Sequence, residues 1–225
     1  MRLPWSRIHT VRAALLSVVF TVVLSTSPIH AQSEELAAAE IKRRVVEALQ
    51  LQGTETVADV GCGDGFYTLP LARALGSGKV LAVDIDEAAL SKLKRQLADQ
   101  GIMNVETVKG KEDDPLLTPE SLDAVLIVNA YHEMTAHETM LRHVYAGLKP
   151  GGTFVLMEGI WDSRERQPRD EQTKHHELAA GIAGKELEVA GFEIASVRDP
   201  FLQRPPDADG KSRWWLITAR RPLRR

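Results

Sequence analysis

Val57-Ala58-Asp59-Val60-Gly61-Cys62-Gly63-Asp64-Gly65 is an apolar, strand-like stretch that breaks into three alternating glycines. Glycine carries no Cβ, so a loop built this way lets a ligand lie against main chain. In the run that follows, Phe66-Tyr67-Thr68-Leu69-Pro70-Leu71-Ala72-Arg73-Ala74-Leu75, apolar residues recur at helical spacing. The glycines therefore sit where a strand hands over to a helix N-terminus, which is the geometry of a nucleotide pocket.

The alternation of strand and helix continues outward from this loop. Apolar runs at residues 56–60, 79–84, 104–109, 122–129 and 153–158 predict strands. Helical spacing separates most of them, with Leu90, Leu93 and Leu97 in one segment and Met140, Val144 and Leu148 in another. Such a pattern predicts a parallel sheet covered on both faces. Leu122-Asp123-Ala124-Val125-Leu126-Ile127-Val128, nearly all apolar after its acid, predicts a central strand buried on both sides. Upstream, Ile41, Val45 and Leu49 predict an amphipathic helix over residues 34–51 that covers an edge or mouth of the domain. Downstream, Leu187 and Ala190 run into Gly191 as a helix stop, followed by strands at residues 192–197 and 213–219. The loop joining those two holds Pro200, Pro205, Pro206 and Gly210 and has no room for a crossover helix, so the last pair is expected to be antiparallel. The fold class predicted is α/β, a doubly wound, mostly parallel seven-stranded sheet with an antiparallel last strand.

An acid, Asp84, ends the next strand, and Glu112, Asp113 and Asp114 follow the third. A glycine loop with an acid about twenty residues on also opens dinucleotide folds, where the acid takes the ribose hydroxyls. That fingerprint places glycines at its first, third and sixth positions, whereas Gly61, Gly63 and Gly65 alternate strictly and position 66 is Phe. Asp59-Val60-Gly61-Cys62-Gly63-Asp64-Gly65 resembles the first motif of the class I S-adenosylmethionine-dependent methyltransferases, Asp/Glu-x-Gly-x-Gly-x-Gly, at every defined position. The resemblance extends to Asp84, to the loop 110–114, to the turn Leu148-Lys149-Pro150-Gly151-Gly152-Thr153 and to the junction Glu188-Val189-Ala190-Gly191-Phe192. It covers nearly everything from about residue 34 onward and implies a Rossmann-like sheet with S-adenosylmethionine as cofactor.

The implied cofactor carries a vicinal diol, a zwitterionic tail and a sulfonium. Under the resemblance, Asp84 accepts both ribose hydroxyls, and Gly61, Gly63 and Gly65 bring main chain against tail and ribose. Asp59 holds the loop near the ligand's ammonium, and Asp113 or a neighbour meets the adenine edge. Asp86 and Glu87 are read instead as the acidic start of a helix, and Cys62 as a small buried spacer. After the fourth strand comes Asn129-Ala130-Tyr131-His132-Glu133-Met134, at the sheet end where ligands gather in doubly wound folds. Asn129 is assigned to the cofactor, His132 is the candidate base, Glu133 its orienting partner and Tyr131 a pocket wall; a capping or packing role for His132 stands beside that reading. Residues 161–177 are polar and charge-rich and include His175-His176-Glu177. Adjacent histidines point apart on a helix, so this segment is read as a solvated or pocket-rim insertion and no metal is assigned.

The chain of 225 residues has a formal charge of −3 and one cysteine, which excludes an internal disulfide or a thiolate metal cluster. Arg2, Arg7 and Arg12 precede an apolar run from Ala13 to Leu24, and Ile29-His30-Ala31 follows. This reads as a secretory signal peptide cut after Ala31, ahead of a single methyltransferase domain over residues 32–225. The apolar run is too short to favour the alternative of an uncleaved anchor. Removal of residues 1–31 takes the charge to about −6, which argues against nucleic acid as a partner. The expectation is an exported, periplasmic or secreted enzyme with a small-molecule acceptor and no membrane span after cleavage. Two alternatives remain: a non-catalytic adenosyl-binding protein on the same fold, and a nicotinamide-dependent oxidoreductase.

Overall fold

In a computed structural model, residues 28–203 and 213–224 are described. Seven strands form one sheet: β1 (Thr56–Val60), β2 (Lys79–Asp84), β3 (Val105–Lys109), β4 (Leu122–Val128), β5 (Leu148–Ile160), β6 (Glu193–Gln203) and β7 (Arg213–Arg220). Their order across the sheet is β3-β2-β1-β4-β5-β7-β6. The first five are parallel to one another, and β7 runs antiparallel to both β5 and β6. This is the predicted Rossmann-like sheet with its antiparallel last strand. The order reverses between β1 and β4, and in open α/β sheets that switch point opens a crevice at the strands' C-terminal ends.

Side chains of a strand alternate between the two sheet faces, and here both faces are covered. In β4, Val125 and Ile127 join a cluster with Phe154, Leu156, Trp215 and Ile217. Helices α4 (His137–Gly147) and α6 (Ala180–Val189) complete it with Leu141, Val144, Ala183 and Leu187. Ala124 and Leu126 face the opposite cluster, with Val57, Val155, Met157 and Leu216. There α2 (Thr68–Ala74) contributes Leu71, and α1 (Pro28–Ala48) contributes Val45 and Ala48. A third cluster sets Leu90, Leu93 and Leu97 of α3 (Glu87–Asp99) against Ala82 and Cys62. Cys62 is buried, burial pushes its thiol up, and it serves as the apolar spacer expected of it.

The helix predicted over residues 34–51 is α1, which begins earlier, at Pro28. Beyond its packing on the sheet face, Arg44 donates to the carbonyl oxygen of Phe201 in the edge strand, and the Lys42 ammonium lies 3.9 Å from the Phe66 ring centre. The expected signal peptide lies largely outside the described residues, as does the loop at residues 204–212. Among the described residues, no helix is long and apolar enough to cross a membrane. Two strands are longer than their apolar runs. β5 starts at Leu148 because the Pro-Gly-Gly turn is absorbed as an irregularity opposite Asp123, whose carboxylate takes Lys149 Nζ at 2.6 Å and the Thr56 amide at 2.9 Å. β6 runs through Pro200 to Gln203 by a register shift between Arg198 and Leu202, at the sheet edge where a proline costs no ladder bond. A short helix, α5 (Arg169–Thr173), was not predicted.

Candidate active site

The glycine loop leaves β1 and turns beneath the end of β2. The amides of Gly61 and Cys62 both donate to the Val83 carbonyl, at 2.8 and 3.1 Å, which fixes the loop to the neighbouring strand. Gly61 has φ +76°, and a Cβ there would lie 2.4 Å from the Ala130 Cβ. Gly65 has φ +97°, and its Cβ would meet Leu93 Cδ1 at 2.4 Å. Gly61 therefore requires glycine on two grounds, conformation and space, and Gly65 chiefly on conformation. Asp84 then organises the ligand side: its Oδ2 accepts from the Gly63 amide at 2.7 Å and its Oδ1 from the Asp86 amide at 2.8 Å. Asp86 is committed elsewhere, because its carboxylate caps α3 by accepting from the Ala88 amide at 2.8 Å.

A cleft of about 710 Å³ opens at the switch point, with Gly61, Asp84, Asn129, Glu133 and Met134 in its wall. Four of the residues expected at the site thus share one cavity. Asp59, Gly63 and Gly65 are not part of the wall. Asn129 sits at φ +52° and donates its amide to the Met157 carbonyl at 2.9 Å, so the chain turns sharply as it leaves β4. Asp113 is exposed and outside the wall, to which its loop neighbours Gly110, Lys111 and Glu112 belong. Tyr131 is also outside the wall. Its ring is fully buried, its hydroxyl donates to Glu186 Oε2 at 2.8 Å, and burial together with the Glu186 charge pushes the phenol up. It packs the turn after β4 instead of lining the pocket.

Asp59 is buried, and desolvation pushes its carboxyl up to about 6; the Thr68 hydroxyl, which donates to Oδ2 at 2.6 Å, opposes that shift and the Asp84 charge adds to it. An acid raised in the fold contributes stability below its unfolded pKa and loses it as pH rises through the folded one, here from about 4 to about 6. Asp59→Asn keeps the acceptor for Thr68 and removes the ionisation. The variant is expected to gain on the cofactor-free wild type as pH rises across that window, by up to about 3 kcal/mol, read as roughly 5 °C or more in melting temperature at pH 7.5 and little at pH 4. A difference that stays constant with pH overturns the assignment.

Next to the cleft, His132 is 3% exposed and its Nδ1 lies 2.8 Å from Oε2 of Glu158, which is itself fully buried near the end of β5. The other Glu158 oxygen accepts from the amides of Tyr131 and His132 at 2.7 and 3.2 Å. On the far side of the ring, His132 Nε2 is 3.2 Å from Glu133 Oε1, and His176 Nδ1 contacts that same oxygen. Burial pushes Glu133 up, but the His176 hydrogen bond and the contacts of His132 outweigh it and hold the carboxyl below its usual range. Glu133, not His132, reaches the cleft. The orienting roles are thus reversed from those expected: Glu158 fixes His132, and His132 backs Glu133.

Two members of this cluster were not among the expected residues. Glu158 had a signal, being the one acid in Phe154-Val155-Leu156-Met157-Glu158, since a charge ending a buried strand needs partners. His176 had none, because its position depends on how residues 161–177 fold. That segment is held by buried polar side chains: the Gln172 side-chain amide donates to the carbonyls of Arg164, Glu165 and Gln167, and Arg164 grips the buried Glu177 at 2.9 and 3.0 Å.

The glycine loop, the acid ending β2 and the strand order define the class I S-adenosylmethionine-dependent methyltransferase fold. Residues 57–152 match the family model described as a methyltransferase domain. A demethylmenaquinone methyltransferase of Oceanobacillus iheyensis is 30% identical over 118 residues, 52% of this chain and 50% of that protein. The chain therefore spans about half the length of the curated relatives it matches. Among solved structures, a SAM-dependent methyltransferase from Aquifex aeolicus superposes with a TM-score of 0.67 at 22% identity, covering 84% of this chain and 97% of that one. The [4+2]-cyclase SpnF gives 0.71 at 19% identity, covering 84% and 82%.

The residues present fit S-adenosylmethionine. The Gly61 position admits no Cβ, and each Asp84 oxygen accepts one backbone bond, which leaves a second lone pair on each for a diol. Asp59 and Asp84 repel one another, so a cationic ligand nearby is favoured by both.

Proposed function

We propose that this chain is an S-adenosylmethionine-dependent methyltransferase with a small-molecule acceptor. The observation that carries the reading is Asp84 aimed into the switch-point cleft while bound to the Gly63 amide of the glycine loop. When bound, the cofactor supplies a methyl group activated by the adjacent sulfonium. Asp84 takes the ribose hydroxyls, the Gly61 backbone lies against the ligand, and Glu133 stands at the acceptor end of the cleft. Transfer is an in-line displacement, so the chain's main contributions are alignment and exclusion of water. Where the acceptor atom carries a proton, the Glu133 carboxylate is the group in the wall that accepts it. Beside it, Ile85, Pro115, Met134 and Met140 give the cleft an apolar side. That pairing suits an acceptor with an apolar body and a proton-bearing head, and the quinone-related name of the relative from Oceanobacillus iheyensis is in keeping with it.

Calorimetry with S-adenosylmethionine, S-adenosylhomocysteine and NAD, followed by transfer of labelled methyl into a metabolite extract and a quinol panel, tests the reading. Binding of both adenosyl compounds and label in a small-molecule product are expected. NAD binding without adenosyl binding would instead support an oxidoreductase. Adenosyl binding with no transfer to any acceptor would favour the non-catalytic reading. The signal read in residues 1–31 carries the further proposal of export, supported by the arginines and apolar run of that segment. N-terminal sequencing of the chain recovered from a periplasmic fraction is expected to begin at Gln32, and an intact N-terminus in the cytoplasmic fraction overturns it.

A further inference from the structure

We propose that His132, Glu133 and His176 form a binding site for a zinc-class divalent cation at the rim of the cleft. Their nearest donor atoms, one from each residue, all lie within 4.8 Å of one another. Two imidazoles and one carboxylate are the donor set of first-row metals such as zinc, cobalt and nickel; magnesium and calcium prefer oxygen throughout. The sequence offered no such set, since His175 and His176 are adjacent and His132 lies more than forty residues away.

The strongest argument is the preparation of His132. Glu158 Oε2, 2.8 Å from Nδ1, holds the ring from behind and leaves Nε2 on the side of Glu133. Nε2 lies 3.2 Å from Glu133 Oε1, a separation at which both atoms can reach one cation. A buried carboxylate behind a histidine is also the usual outer support of a metal-bound imidazole, fixing both tautomer and ring orientation. His176 Nδ1 reaches the same Glu133 oxygen, its ring edge-on to His132 with centroids 5.7 Å apart.

Three protein ligands leave a coordination position open, and because Glu133 belongs to the cleft wall that position lies toward the acceptor end. With a cation bound, Glu133 would serve as its ligand and not as a free base, and the cation would do two things. It would tie the turn after β4 to the segment that carries His176, and it would hold an oxygen of the acceptor. The second consequence rests on the methyl-transfer reading; the site itself does not.

The test uses the tag-free chain, stripped with a chelator and titrated with Zn2+ by calorimetry and with Co2+ by visible absorption. A single saturable Zn2+ site is expected, with no comparable uptake of Mg2+ or Ca2+. His176→Ala and Glu133→Ala, both exposed positions with little folding risk, are expected to abolish it, whereas His175→Ala keeps it. Glu158→Gln is expected to weaken it about 10- to 100-fold. Absence of saturable Zn2+ uptake by the wild type, or a site that survives both His176→Ala and Glu133→Ala, overturns the proposal. S-adenosylhomocysteine binding measured on the same samples separates the two readings. Its loss with zinc uptake intact counts against the methyltransferase alone, and its retention without zinc uptake counts against the metal site alone.

Discussion

Asp84→Ala is expected to weaken binding of S-adenosylhomocysteine by about 100- to 1,000-fold. The carboxylate does two jobs at once. Its oxygens order the loop by accepting from Gly63 and Asp86, and their remaining lone pairs face the cleft, where a ribose diol would donate to them. Hydrogen bonds to a charged group contribute about 1.5–3 kcal/mol each, and two of them account for a loss of that size. Asp86→Ala is the matched control. Although that side chain also borders the cleft, its oxygen is engaged in capping α3, so the substitution should cost about 1 kcal/mol of stability and only a few-fold in affinity. Calorimetric titration of both variants decides the matter, and equal losses would remove Asp84 as the ribose acid.

The capping role of Asp86 was legible in the sequence, and so was most of the sheet. β1 and β2 begin and end where their apolar runs meet a glycine or an acid, because a strand buried on both faces cannot continue through residues that must turn or stay wet. The loop between them was readable for the same reason: at Gly61 the backbone conformation and the crowding by Ala130 leave one residue type possible. What failed to show was order that comes from polar groups buried by tertiary contact. Residues 161–177 look like a solvated insertion by composition, yet Gln172 and Glu177 are fully buried and organise the segment through hydrogen bonds to carbonyls and to Arg164. Tyr131 likewise was assigned to the pocket from its neighbourhood in the chain. The turn after β4 rotates it inward to Glu186 on α6, a partner 55 positions away that no local pattern announces. Local periodicity reports where a strand or helix forms; it does not report which distant acid a hydroxyl will find.

Glu158 brings these strands of argument together, and its substitution is expected to have the largest effect on stability. It sits at full burial and accepts three hydrogen bonds, from the amides of Tyr131 and His132 and from His132 Nδ1. Glu158→Ala would leave those three donors without an acceptor in a site closed to water, at about 1–3 kcal/mol for each unsatisfied group and with incomplete additivity. A total near 3–5 kcal/mol is expected, seen as a fall of about 10 °C or more in melting temperature. Glu158→Gln should behave differently. Its amide oxygen can still accept from the two backbone amides, so the melting temperature should fall by no more than a few degrees. Its NH2 then faces His132 Nδ1 and must be accepted there, which moves the ring proton to Nε2. Nitrogen-15 chemical shifts of the His132 ring read that change directly, Nδ1-protonated in the wild type and Nε2-protonated in the variant. If Ala and Gln melt alike, or if the ring tautomer is the same in wild type and Gln variant, then Glu158 does not set the tautomer of the His132 ring.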